Sequence, residues 1–246
     1  EQEVPISIVN FLNTQVHKHP TIRSLMVESR SEYLTPEWLE TIADGLGNKQ
    51  LWIAIGFESW NDHYRNHIMG KGETIDRFTK AVARAKNMGI KIFCYCFLKC
   101  HGMSEAEAVA DTINTIEQLS RLCVDMCSIS AAYVPPQFLA RPIYNAFHSS
   151  QNPFRPPWLR SIIHVLQVLR TKNLGSTRVR LNQFDEGEQL PTNWVSPDPR
   201  NHEVCGCADS FYKALSNFRE DGNYAHFENL PDTCCKKAWD EEMRAG

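Results

Sequence analysis

No uninterrupted apolar stretch in these 246 residues approaches the roughly 18 needed to cross a bilayer as a helix. The first residues, Glu1, Gln2 and Glu3, are acidic where an export signal is basic. Membrane insertion and export are therefore not expected, and a cytoplasmic setting is. An excess of positive charge is also lacking: 26 Lys and Arg stand against 29 Asp and Glu, a formal net charge of -3. Net charge thus gives no long-range attraction for nucleic acid, although a local basic face is compatible with it. No internal repeat or low-complexity tract is present. An initiator Met is missing as well, and Glu3, Val4 and Pro5 lead straight into the apolar Ile6, Ile8, Val9, Phe11 and Leu12. The chain is read as beginning inside a domain.

What is present suits a globular chain. With 42% hydrophobic and 22% charged residues, it can bury a full core as one large domain or as one domain with an appendage. Nine Cys is an odd count, so a complete disulfide framework cannot use them all. A reducing compartment with core or metal-bound thiols fits better, and a buried Cys is in itself an ordinary small hydrophobe.

From residue 24 onward, short β-rich runs alternate with helical patterns, as parallel strands linked by crossover helices do. The runs are Leu25 to Val27, Leu51 to Phe57, Ile90 to Leu98, Val124 to Ile129 and, more weakly, Arg178 to Leu181. They lack strict alternation, as strands covered on both faces should. Thr35, Pro36 and Glu37 read as a cap, a first-turn proline and an acidic first turn. Thr74 caps a second helix that ends at Gly89, and Ser104 with Glu107 forms a capping box for a third.

A proline-rich connection over residues 133–158 breaks this alternation, and Trp158, Ile162, Val165, Leu166 and Leu169 resume a helical period. After about residue 185 the chain turns polar and ends with Cys205, Cys207, Cys234 and Cys235. The expected organisation is a domain over residues 1–184 and a small cysteine-containing module over 185–246. Four terminal thiols are the number a structural zinc site needs, though adjacent cysteines chelate one ion awkwardly and His202 or His226 can replace one of them. A disulfide, or no ligand at all, remains open for these thiols.

In a parallel (β/α) barrel, ligands sit at the carboxyl ends of the strands. Three strand ends carry specific text here: Val27-Glu28-Ser29-Arg30, then Glu32 and Leu34; Ile55-Gly56-Phe57-Glu58-Ser59-Trp60-Asn61-Asp62 followed by His67, Lys71, Gly72 and Thr74; and Phe97-Leu98-Lys99 before Ser104. In that order they resemble the radical S-adenosylmethionine (SAM) superfamily, in the branch of Elp3-like and coproporphyrinogen-oxidase-like barrels. Within it the chain is most similar to the archaeosine-biosynthesis radical proteins. Phe154-Arg155-Pro156-Pro157-Trp158 and the paired Cys234 and Cys235 with Trp239 add to that likeness.

The resemblance implies an α/β fold, a partial (β/α) barrel of mostly parallel strands plus the small module. It implies SAM and a [4Fe-4S] cluster as cofactors, tRNA as substrate, and a partner transferase subunit. The implied reaction starts with reductive cleavage of SAM to a 5'-deoxyadenosyl radical. That radical then acts on a lysine-bearing preQ0 adduct in tRNA. The family's cluster is held by a CxxxCxxC loop, and that spacing does not occur here. Cys94, Cys96 and Cys100, like Cys123 and Cys127, lie along expected strands and are assigned to core packing. The loop is expected upstream of Glu1, and this chain alone is expected to be inactive.

The resemblance points to Glu28, Arg30, Gly56, Glu58 and Ser59 as cofactor-binding. Glu58 can accept ribose hydroxyls while Gly56 allows close backbone approach; alternatively Glu58 pairs with Arg30 or Lys99. Glu28 and Arg30, two apart, share a face and either orient the amino-acid end of SAM or pair with each other. Asn61 and Asp62 read as turn residues, and Lys71 and Gly72 as a solvated turn. Lys99, Arg155 and Arg160 are the substrate or RNA candidates. The last two belong to the one basic concentration, with Arg170, Lys172, Arg178 and Arg180, which suits either a tRNA backbone or a solvated helix face. A non-catalytic RNA- or protein-binding module is the alternative. A metal-dependent hydrolase is disfavoured, because of nine His only His101 lies near a strand end.

Overall fold

The computed structural model describes residues 5–132, 155–182, 208–231 and 235–245. A helix, α1 (Ile6–Lys18), precedes five strands: β1 (Ser24–Glu28), β2 (Gln50–Glu58), β3 (Lys91–Leu98), β4 (Met126–Ala131) and β5 (Arg178–Leu181). They form one sheet in the order β1-β2-β3-β4-β5. β1 runs parallel to β2, with Ser24 opposite Gln50 and Glu28 opposite Ala54. Parallel neighbours require crossovers. These are made through α2 (Pro36–Asp44), α3 (Ile75–Asn87), α4 (Glu105–Arg121) and α5 (Leu159–Thr171). This is the α/β arrangement of a parallel sheet with flanking helices, and all five expected strand runs are strands.

The expected caps are made. The Thr35 hydroxyl accepts from the Trp38 amide at 3.2 Å, and Thr74 does the same for Arg77 at 3.2 Å. Ser104 and Glu107 bond reciprocally, amide to side chain, at 2.8 and 3.2 Å. α3 ends at Gly89, whose φ of +71° suits a residue without Cβ.

Two compact units make up the chain. The first comprises Glu1–Tyr95, Glu117–Cys127 and Leu174–Arg178. Its α1 and α2 pack together, and Trp38, Leu39 and Ile42 of α2, Ile53, Ile55 and Phe57 of β2, and Phe78 and Val82 of α3 are buried. The second comprises Cys96–Ile116, Ser128–Asn173 and Val179–Gly246. There α5 buries Leu159, Ile162, Val165, Leu166 and Leu169 and packs on α6 (Ala208–Asp221). The Phe218 ring of α6 meets Tyr224 edge-on and Phe227 at a tilt, with ring centres 4.9 and 5.1 Å away. A last helix, α7 (Cys235–Ala245), ends the described chain.

Two expectations need correction. β3 does alternate: Ile92, Cys94, Cys96 and Leu98 are buried while Lys91, Phe93, Tyr95 and Phe97 are half-buried, so only one of its faces is fully closed. Two cysteines read as strand residues are not on strands: Cys100 follows β3, which ends at Leu98, and Cys123 lies in the turn after α4, exposed and with φ +59°. Cys94, Cys96, Cys100 and Cys127 are buried core residues, as assigned. Among the described residues, no helix is long and apolar enough to cross a membrane.

Candidate functional site

The end of β2 is strained. Glu58, its last residue, has φ +72°, and the Ser59 amide donates to the Phe57 carbonyl at 3.0 Å. This closes a γ-turn with a positive-φ centre, the rarer and more strained of its two forms. A non-glycine residue there costs about 1–2 kcal/mol and persists only where its surroundings over-determine it.

The surroundings are built around Arg65, in a π-helical segment, His63–Ile68, that follows the turn. Its side chain is wholly buried. Nε donates to the Glu73 carbonyl at 2.7 Å, Nη1 to the Ser59 and Trp60 carbonyls at 2.9 and 3.0 Å, and Nη2 to Asp62 Oδ1 at 2.8 Å. The guanidinium also lies 5.1 Å from the centre of the Phe57 ring. Ser59 is buried, and its hydroxyl accepts from the Asn61 amide at 3.0 Å. Asn61 accepts in turn from the His63 amide at 3.0 Å, so Asn61 does the turn-forming work expected of it.

The Glu58 carboxylate meets Lys71, with Oε1 2.6 Å from Nζ. Neither Arg30 nor Lys99, the alternative partners weighed from sequence, makes this pair; Lys71, read there as part of a solvated turn, supplies the cation. Burial pushes the Glu58 carboxyl above its usual range, and the charge and hydrogen bond of Lys71 offset part of that rise. Beside the pair lies a pocket of about 280 Å³ lined by Arg30, Ile55, Gly56, Gly70, Lys71 and Glu73. A Cβ on Gly56 would stand 2.8 Å from Glu58 Oε1 and 3.0 Å from Lys71 Nζ, so glycine keeps this space open.

Arg30 lines the pocket, and the Glu28–Arg30 ion pair, one of the two alternatives, is not formed. β1 ends at Glu28, so the period-two rule does not extend to Arg30. Glu28 accepts a hydrogen bond from the Tyr95 hydroxyl. Burial, followed by that bond to Glu28, raises the Tyr95 pKa to about 12. Arg30 Nε lies 3.2 Å from Glu32, and its Nη2 donates to the Lys71 carbonyl at 2.9 Å. Glu73, also buried, accepts from the Ser31 hydroxyl and from Arg77 Nε at 3.0 Å.

The second unit holds the remaining candidates. Lys99, with φ +71°, is buried in an ion pair with Glu105, the first residue of α4. Glu105 also accepts from the Trp158 amide at 2.9 Å and from the Ser161 hydroxyl, and Ser161 accepts from the Trp239 indole at 2.8 Å. Arg155 is exposed. Arg160 stacks over Phe211 at 4.5 Å and donates to the Pro231 carbonyl at 3.2 Å and to Cys235 Sγ at 3.4 Å. Cys235 is buried, whereas Cys205, Cys207 and Cys234 lie outside the described residues. Among the described residues, no group of three or more His, Cys, Asp or Glu is placed to hold a metal.

Residues 7–116 match the model of the Radical SAM superfamily. Over those residues, a little under half of its length, this chain carries a radical SAM superfamily region. It is 30% identical over 167 residues to the archaeosine synthase subunit beta of Methanosarcina acetivorans, covering 68% of this chain and 46% of that one. To the archaeosine synthase subunit beta of Thermococcus kodakarensis it is 26% identical over 226 residues, covering 92% of this chain and 64% of that one. An uncharacterised protein of Methanocaldococcus jannaschii is 27% identical over 173 residues, covering 70% of this chain and 46% of that one. The chain thus spans roughly half to two thirds of the length of these relatives. Among solved structures, Methanocaldococcus infernus Elp3 with an N-terminal deletion aligns over 79% of this chain and 42% of that one, at 16% identity and a TM-score of 0.47.

The superfamily's two cofactors fare differently against these residues. A carboxylate, two cationic side chains and a glycine-floored pocket suit the hydroxyl, amine and carboxylate groups of SAM. The described residues do not suit a [4Fe-4S] cluster, since they bring no three thiols together.

Proposed function

We propose that this radical SAM chain contributes the SAM-binding strand ends of an enzyme that modifies tRNA. The carrying observation is the Glu58–Lys71 pair, preformed at a strained strand end above the space that Gly56 leaves. When bound, SAM supplies the radical chemistry; the chain's own residues bind and orient it. Glu58 accepts hydroxyl or ammonium donors, and Arg30 offers a fork to a carboxylate.

The relatives' names, archaeosine synthase subunit beta, support a role in archaeosine formation as one subunit of a larger enzyme; a lysine-bearing preQ0 adduct in tRNA as substrate and a transferase subunit as partner are our extension of that reading. Arg155, exposed like Arg170, Lys172, Arg178 and Arg180, is the candidate for neutralising an RNA phosphate.

Calorimetric titration of the chain with SAM tests the reading. Binding is expected, with Glu58→Gln weakening it by about tenfold or more, since a charge-assisted hydrogen bond contributes about 1.5–3 kcal/mol. Absence of SAM binding, or equal binding by Glu58→Gln, would overturn it. A mobility-shift titration with tRNA, in which Arg155→Glu lowers both affinity and its salt dependence, tests the RNA part.

A further inference from the structure

Among the largest fully buried side chains described, Arg65 is the one that carries a charge. A guanidinium is tolerated there only because its donors are taken, since an unpaired buried charge is strongly disfavoured. The acceptors come from both ends of one loop: the Ser59 and Trp60 carbonyls and the Asp62 carboxylate on the way out, and the Glu73 carbonyl on the way back. Two of these grips touch the pocket's own parts. Ser59 directly follows Glu58, and Glu73 lines the pocket two residues after Lys71. The Lys71 amide itself donates to the Arg65 carbonyl at 3.1 Å. Asn66, next in sequence, closes the same loop by exchanging two hydrogen bonds with the Glu73 backbone, at 2.8 and 2.9 Å.

We propose that Arg65 is a positioning residue of the pocket, which sets the Glu58–Lys71 pair by holding the Ser59–Glu73 loop from within. It takes no part in contacting the ligand. The proposal rests on the reading of this pocket as the SAM site. Only the planar fork of arginine reaches carbonyls in several directions at once; a lysine would satisfy fewer of them.

The groups facing Glu58 are Lys71, which pairs with it, and Tyr95 and Cys94, both of which respond to its charge. Arg30 and Glu73 share the pocket. If Arg65 acts through Lys71, loosening the loop withdraws the ammonium and the Glu58 carboxyl titrates at higher pH. A merely structural arginine lowers the unfolding midpoint and leaves that titration where it was.

The test is the Glu58 titration, followed by carboxyl carbon NMR in the ligand-free full chain and in Lys71→Met, Arg65→Lys and the double variant. Arg65→Lys is expected to move Glu58 upward in the same direction as Lys71→Met, and to add nothing in the double variant. An unmoved Glu58 in Arg65→Lys, or fully additive shifts, would overturn the proposal. Should Arg65→Lys fail to fold, Asp62→Asn decides the question, because that side chain is 62% exposed and loosens one arm of the clamp in a folded chain. SAM calorimetry reads the other issue separately: Arg65→Lys is expected to lose affinity by about tenfold or more through misplacement alone. If Glu58→Gln binds SAM as the unaltered chain does, the SAM reading falls while the titration still reports on Arg65.

Discussion

Asp125, ahead of β4, holds Lys91 at the start of β3, with Oδ1 2.8 Å from Nζ. Its other oxygen lies 2.7 Å from Lys86 Nζ and accepts from the Ile92 amide at 2.9 Å. Burial opposes ionisation of Asp125, but these hydrogen bonds outweigh it and hold the carboxyl below its usual value. A lowered folded-state pKa means stability that is present above the unfolded pKa and lost as pH falls through the folded one. Asp125→Asn is expected to cost about 1–3 kcal/mol at neutral pH, because it removes two charge-assisted bonds and keeps the Ile92 acceptor. Urea unfolding at about pH 7 and about pH 3 should show the gap between variant and parent narrowing at the lower pH. A gap that widens on acidification would contradict the assignment.

Gly56 and Gly45 separate binding from stability. A Cβ at Gly56 meets only the ends of two flexible side chains, Glu58 Oε1 and Lys71 Nζ, and the backbone there has no positive φ. Gly56→Ala is therefore expected to leave stability within about 1 kcal/mol, or to raise it slightly, while pushing the ion pair into the pocket and weakening SAM binding. At Gly45 the same methyl group would lie 1.7 Å from Nδ2 of the buried Asn13. Gly45→Ala is expected to cost about 1–3 kcal/mol through overpacking and to leave SAM binding intact once folded. Thermal unfolding and calorimetry on both variants check the contrast.

The cysteines give a prediction by accessibility. Cys123 is exposed, whereas Cys94, Cys96, Cys100, Cys127 and Cys235 are buried, and burial followed by the charge of Asp111 lifts the Cys100 thiol to about 11. A maleimide at neutral pH should label Cys123 well before any of these five, as mapped by mass spectrometry of the peptides. Labelling of Cys94 or Cys96 in the folded chain as fast as Cys123 would contradict a closed inner face of β3.

What could be read in the sequence was local. Thr35, Thr74 and the Ser104–Glu107 box announce their helices because a cap is a matter of a few adjacent residues. The strands were legible because β-rich runs bounded by such caps leave little choice. The partner of Glu58 was not legible. Lys71 lies thirteen residues further on, and only the folding of the intervening loop over Arg65 brings it back. Arg65 itself gave no signal, since an arginine between polar neighbours reads as a solvated residue, and its burial depends on four acceptors contributed by the loop around it. α1 was missed for a related reason: its buried Val9, Asn13 and Val16 leave Ile6, Ile8 and Phe11 exposed, so its apolar residues do not mark its inner face.

The Lys99–Glu105 pair is the most exacting stability test, because both side chains are nearly or wholly withdrawn from solvent, at 5% and 0% exposure. Glu105 begins α4, where the helix dipole favours an anion, and it also satisfies the Trp158 amide and the Ser161 hydroxyl. Glu105→Gln leaves the Lys99 ammonium buried without a counter-ion and is expected to cost about 3–5 kcal/mol. Lys99→Met removes the cation but leaves the Glu105 carboxylate its two donors, so a smaller loss is expected. Trp239→Phe deletes one neutral donor to Ser161 and should cost about 1 kcal/mol. Because the damage in Glu105→Gln is the stranded charge, the double variant Lys99→Met/Glu105→Gln should be more stable than Glu105→Gln alone. Denaturant midpoints at constant slope measure all four. A double variant as unstable as the sum of its parts would mean that the two side chains are not coupled.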